Sequence, residues 1–86
     1  MTATRGGNTL RILFDHATAL ERVGRRIHTL RAFSGVPTGT TGQVIQADRS
    51  GNGYTLAIQW DLPRGARTRL VDWFTRDEYE RFLQEL

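Results

Sequence analysis

Gly35, Gly39 and Gly42 stand among three threonines in the stretch GVPTGTTG, and glycine turns of this kind are where backbone N–H groups can gather around a phosphate. A P-loop requires Gly, four residues and then Gly-Lys-Ser/Thr. The glycines here have a different spacing, and the chain contains no lysine. A dinucleotide fingerprint requires a helix after the glycine turn, whereas QVIQAD reads as a strand. The quartet GTTG has the GXXG form of a nucleic-acid-clamping KH loop, but that loop joins two helices. Turn chemistry is the remaining reading: Pro37 presets φ and the glycines take conformations closed to other residues.

The other reactive side chains are scattered. His16 follows Asp15 at an expected helix start and His28 lies in an expected strand, with no third ligand at metal-binding spacing. Ser34 and Ser50 sit in glycine loops without the flanks of a nucleophile elbow. Asp77, Glu78 and Glu80 fall in the first turns of a helix, where carboxylates complement the macrodipole. Cysteine is absent, which removes disulfides, thiolate metal sites and a Cys nucleophile. We therefore expect no catalytic residue, no metal and no cofactor.

Arginine beside aromatic residues is the more informative pattern. PRGARTR places Arg64, Arg67 and Arg69 in one loop between Trp60 and Trp73, and Arg25 and Arg26 precede an expected strand with Arg31 beyond. Guanidinium forks hold phosphates or carboxylates bidentately, and exposed rings stack on bases or on peptide groups. The expected binding residues are Arg64, Arg67 and Arg69, with Arg25 and Arg26 in support and Trp73 as the ring to be exposed; the competing reading puts Trp60 and Trp73, on alternating apolar faces, both in the core. All twelve basic residues are arginine, a uniformity that fits GC-rich coding, so their number alone argues little. The formal charge is +3; residues 1–60 carry seven arginines against three acids, and residues 61–86 five against six.

These side chains need elements to hold them. The polar start, MTATRGGN, reads as a disordered tail over residues 1–8, and residues 9–86 as a single domain. TLRILF suggests a short strand. DHATALERVG suggests a short helix, with Asp15 as N-cap and Gly24 as its stop. RRIHTLRAF reads as a strand, the alternative being a helix continued through Gly24. QVIQAD and YTLAIQW form a hairpin around RSGNG, with Tyr54, Leu56, Ile58 and Trp60 on one face. RLVDWF is the last strand. In TRDEYERFLQEL, Thr75 and Glu78 make a capping box, and Tyr79, Phe82, Leu83 and Leu86 make an apolar helical stripe.

Four or five short strands between glycine turns, with a short N-terminal helix and a C-terminal helix, predict a mainly β fold of the small antiparallel barrel kind. The run VGRRIHTLRAFSGVPTGTTGQVI resembles the opening of bacterial SH3-like barrels, in which a glycine precedes a strand, a proline-glycine loop follows, and G-T-x-G-x-V begins the second strand. That resemblance spans about residues 23–74 and implies fold rather than function, since such barrels bind peptides, RNA, ribosomal or redox partners. LVDWFTRDEYERF also occupies the place of the last strand in the type II dihydrofolate reductases, small SH3-like barrels that tetramerise around a pore; only Val71 agrees with that family's Val-Gln-Ile-Tyr.

The expectation is a non-enzymatic SH3-like binding module that recognises a protein segment or a nucleic-acid backbone through its arginine loops. An assembly subunit of a homo-oligomer or larger complex is the alternative, and an oligomeric enzyme of the type II reductase sort a lower one. With apolar runs of two or three residues and no apolar leader, the chain reads as cytoplasmic and free of membrane.

Overall fold

A computed structural model describes residues 12–32, 34–62 and 70–86. Two short helices and five strands follow one another as α1 (His16–Arg22), β1 (Arg26–Thr29), β2 (Thr41–Ser50), β3 (Gly53–Trp60), β4 (Val71–Phe74), α2 (Arg76–Phe82) and β5 (Leu83–Glu85). The expected tail over residues 1–8 lies outside the described residues. Residues 12–14 of the expected first strand contribute one bridge, in which Phe14 and Tyr54 exchange backbone hydrogen bonds of 3.0 and 2.9 Å.

The strands form one antiparallel sheet in the order β4-β3-β2-β1-β5. Its outer strands do not pair with each other among the described residues, so the sheet is open and a closed barrel is not shown. Local chemistry sets most of the boundaries. Asp15 caps α1 by accepting the Thr18 N–H at 2.8 Å, and the helix ends before Gly24, whose φ of +95° suits glycine at that place. β1 then begins as a strand, in preference to a continued helix. The β2-β3 hairpin turns through Gly51 and Asn52, between the paired Ser50 and Gly53.

The expected face of β3 is the core face: Leu56, Ile58 and Trp60 are buried, together with Val44, Ile27, Val36, Phe74 and Phe14. Gly42 belongs to β2 itself, rather than to the turn before it. A Cβ there would stand 2.8 Å from the carbonyl oxygen of Gln59 and 3.0 Å from the Trp60 ring, so the strands approach because this residue has no side chain.

The C-terminal stripe is divided between two elements. α2 has its full capping box: Thr75 Oγ1 accepts the Glu78 N–H, and Glu78 Oε1 accepts the Thr75 N–H at 2.9 Å. The helix ends at Phe82, because residues 83–85 extend and pair with β1 in the register Thr29↔Leu83, His28↔Gln84 and Ile27↔Glu85. Tyr79 and Leu83 are buried, but Leu86 is 71% exposed and takes no part in the stripe. Edge pairing satisfies the backbone groups of residues 83–85 that a further helical turn would otherwise have bonded.

Residues 12–22 pack on the rest of the fold. Phe14 meets Tyr79 edge to face at 5.7 Å, and the backbone of Ile12 bonds both Arg76 and the Asp77 carboxylate at the start of α2. No helix among the described residues is long and apolar enough to cross a membrane.

Candidate binding surface around Trp73

GVPTGTTG closes around the buried Thr29. Thr29 Oγ1 donates to the Pro37 carbonyl at 2.8 Å and accepts the Thr40 N–H at 3.1 Å, and the Gly39 N–H bonds the Thr29 carbonyl at 3.0 Å. The turn thus directs its N–H groups at Gly39 and Thr40 to its own chain, which leaves them no role as phosphate donors. His16 stacks on Tyr54 with ring centroids 4.7 Å apart, and His28 Nε2 bonds Gln84 Oε1 at 3.1 Å. Among the described residues no three His, Asp or Glu side chains come together as a metal would require.

The two tryptophans divide by face. Trp60 is 3% exposed, meets Phe74 edge to face at 6.0 Å, and donates its Nε1–H to Asp72 Oδ2 at 2.9 Å. Trp73, on the opposite face of β4, is 51% exposed. Its backbone neighbour on β3 is Ala57, which has no exposed surface, and its Nε1–H reaches Asp48 Oδ2 on β2 at 2.6 Å. The indole therefore crosses β3 to be latched on the next strand. Asp48 is steadied in turn by Gln46, whose Nε2 donates to both carboxylate oxygens at 2.8 and 2.9 Å.

A bulge makes this latch. Val44 pairs with Ile58 and points into the core, so without interruption Gln46 and Asp48 would point inward as well. The register shifts between Val44 and Gln46, Ile45 being the additional residue, and Gln46 then pairs with Ala57 and Asp48 with Thr55 on the outer face. Ala47 takes the inward position and packs on the core.

Beside Trp73, at the β4 edge of the sheet, lies a cleft of about 210 Å³ lined by Ser34, Asp72, Trp73, Phe74, Glu78 and Phe82. Three carboxylates, Asp48, Asp72 and Glu78, thus border the exposed indole or its cleft, while Arg31 and Arg81 lie over the ring of Phe82, which also lines it.

The expected arginines do not gather here. Arg64, Arg67 and Arg69 lie outside the described residues. Arg26 shares the outer face but sits on β1, three strands from β4, roughly 14 Å across at the usual strand spacing. It pairs with Asp61, which also accepts the Thr41 hydroxyl at 2.7 Å; the Arg26 guanidinium first, and this hydroxyl second, hold the Asp61 carboxyl below its ordinary value. Arg25 turns to Glu85 at 2.7 Å. Glu85 also accepts from Arg22 at 3.1 Å and from the Tyr79 hydroxyl at 2.9 Å. Burial raises the Glu85 carboxyl, but the Tyr79 and Arg25 hydrogen bonds and the charges of both arginines outweigh it, and the net shift is downward. Burial, followed by the neighbouring Glu85, raises the Tyr79 hydroxyl well above its ordinary range.

Sequence reasoning did not identify Gln46, Asp48, Asp72 or Glu78 as neighbours of Trp73. Asp48 and Trp73 are 25 positions apart, and only the bulge places them on one face. No family model, curated protein or solved structure matches this chain.

Proposed function

We propose that this chain is a non-enzymatic binding module that recognises a protein segment through the outer sheet face centred on Trp73. The observation that carries this reading is the indole itself: half exposed, yet fixed by Asp48 and backed by Ala57. A large ring held in place loses little conformational freedom on binding, which is why preorganised aromatics dominate interface energetics. Asp48, which holds the indole N–H, sets a carboxylate directly against the ring, and this supports a peptide over a phosphate backbone as the ligand. On the same reading the sheet is part of an SH3-like barrel. The long bulged β2-β3 hairpin and the short helix after the last hairpin strand support it.

The test is capture of partners from a lysate on the immobilised chain, with and without nuclease. Capture is expected to survive nuclease and to weaken by about 30-fold or more in Trp73→Ala, the scale of an aromatic hot spot. Loss of capture after nuclease treatment would establish a nucleic-acid partner instead. Capture unaffected by Trp73→Ala, or a stable homo-oligomer that captures nothing, would favour an assembly subunit.

A further inference from the structure

Close to the Trp73 ring the outer face carries an exposed carboxamide, that of Gln59. This residue stands on β3, paired with Gln43 on β2 and with Val71 on β4. Neighbouring polar side chains of the face are engaged: Gln43 Nε2 donates to the Gly24 carbonyl at 3.4 Å, Gln46 donates to Asp48, and Arg26 pairs with Asp61. The Gln59 side chain makes no hydrogen bond among the described residues.

The indole lies beside it. Trp73 leaves β4 opposite Ala57 and reaches Asp48, whose own partner on β3 is Thr55, so the ring slants toward Thr55 and covers Ala57, which has no exposed surface. Gln59 is two residues along β3 in the other direction, roughly 7 Å from Ala57 at the rise of a strand, and it remains exposed. One or two residues of an extended peptide cover that spacing.

A carboxamide offers an acceptor and a donor on adjacent atoms. A residue in extended conformation turns its N–H and its C=O to the same side, as the pairs of an antiparallel ladder show. The two groups match: Oε1 of Gln59 can accept the N–H while Nε2 donates to the C=O, with no charge on either partner. Proline cannot fill that position, because it has no N–H.

We propose that Gln59 holds the main chain of the bound segment in this way, while a flanking residue of the segment packs an apolar side chain on the Trp73 ring. This rests on the peptide-binding reading above and names its ligand chemistry: an extended segment with an N–H facing Gln59 and an apolar side chain beside it.

NMR titration of the full chain with the synthetic peptide acetyl-Thr-Thr-Phe-Thr-Thr-amide tests it, alongside analogues that carry one N-methyl group at each residue in turn. The parent peptide is expected to bind, and N-methylation at one residue next to the phenylalanine to weaken it by about tenfold, the scale of one or two hydrogen bonds. Gln59→Met keeps the length of the side chain without the carboxamide. It is expected to weaken the parent peptide by a similar factor and that N-methyl analogue no further, at an unchanged unfolding midpoint. Parent peptide bound as tightly by Gln59→Met would overturn the proposal, as would N-methyl penalties that persist in full in that variant. So would failure of the parent peptide to bind. In each case loss of lysate capture in Trp73→Ala would leave the broader reading standing, whereas capture indifferent to Trp73→Ala would remove both.

Discussion

At the scale of single residues, Gly42 and Asp48 show how much rests on small details. Gly42→Ala places a methyl group against the Gln59 carbonyl and the Trp60 ring, neither of which has room to retreat inside the paired strands. We expect a loss of about 1–3 kcal/mol in urea unfolding, the usual cost of an overpacked site. Asp48 acts on Trp73 from a neighbouring strand. Asp48→Ala should leave the fold intact and free the indole, which would raise the accessibility of Trp73 to an aqueous fluorescence quencher in a Trp60→Phe background. Partner affinity should fall by roughly three- to tenfold, the effect of ordering one side chain on binding. Quenching identical to that of the parent would show that Asp48 does not hold the ring.

At the scale of elements, the informative contrast is between neighbouring leucines. Leu83→Ala should cost about 2–4 kcal/mol, because this side chain fills the core where α2 passes into β5, whereas Leu86→Ala should stay within about 0.5 kcal/mol. Similar losses at both positions would mean that the helix continues through Leu86. The start of α2 is tested by Thr75, whose buried hydroxyl accepts the Glu78 N–H and donates to Asp77 Oδ1 at 2.7 Å. Thr75→Ala should cost about 1–2 kcal/mol and Thr75→Ser should restore most of it, as read from thermal or urea unfolding. The caps at Asp15 and Thr75 were legible in the sequence because a cap is chemistry confined to four consecutive residues. The end of α2 was not legible: the spacing of Tyr79, Phe82, Leu83 and Leu86 describes a helix, and β1, more than fifty positions earlier, turns its last residues into a strand.

At the scale of the whole molecule, the carboxylates tie distant segments together and set the response to acid. Asp61 and Glu85 pair with arginines of β1 and of the α1-β1 region, and Asp77 receives the Thr75 hydroxyl and the Ile12 N–H. All three, with Asp15 at its cap, are held below their ordinary values of 3.8 for Asp and 4.5 for Glu. A lowered folded value means that the unfolded chain takes up protons first. The stabilisation is therefore complete above the ordinary range and is lost as pH falls through the lower folded values. Unfolding midpoints should be level from about pH 7 to 5 and decline below about pH 4. Glu85→Gln should lower the plateau and flatten the decline, and an undiminished acid slope in that variant would assign the effect to the other carboxylates. Tyr79 has the opposite sign: its raised hydroxyl favours the folded state below the ordinary tyrosine range, a contribution lost at higher pH.

The sequence by itself determined the strand-rich class, the β2-β3 hairpin, the two helix starts and the turn character of GVPTGTTG, because each depends on contacts within a few residues. It marked Trp73 as a candidate exposed ring, but the apolar face that Val71 and Trp73 share suits a core position as well, and the exposure of this ring was decided by the fold. Tertiary structure alone decided what surrounds that ring. The bulge at Ile45 reverses the faces of β2 and brings Asp48 beneath the indole, edge pairing with β1 converts residues 83–85 from helix to strand, and Arg25 and Arg26 are drawn into ion pairs with Glu85 and Asp61. Each of these depends on which strands become neighbours, and periodicity along one segment carries no record of the register between two.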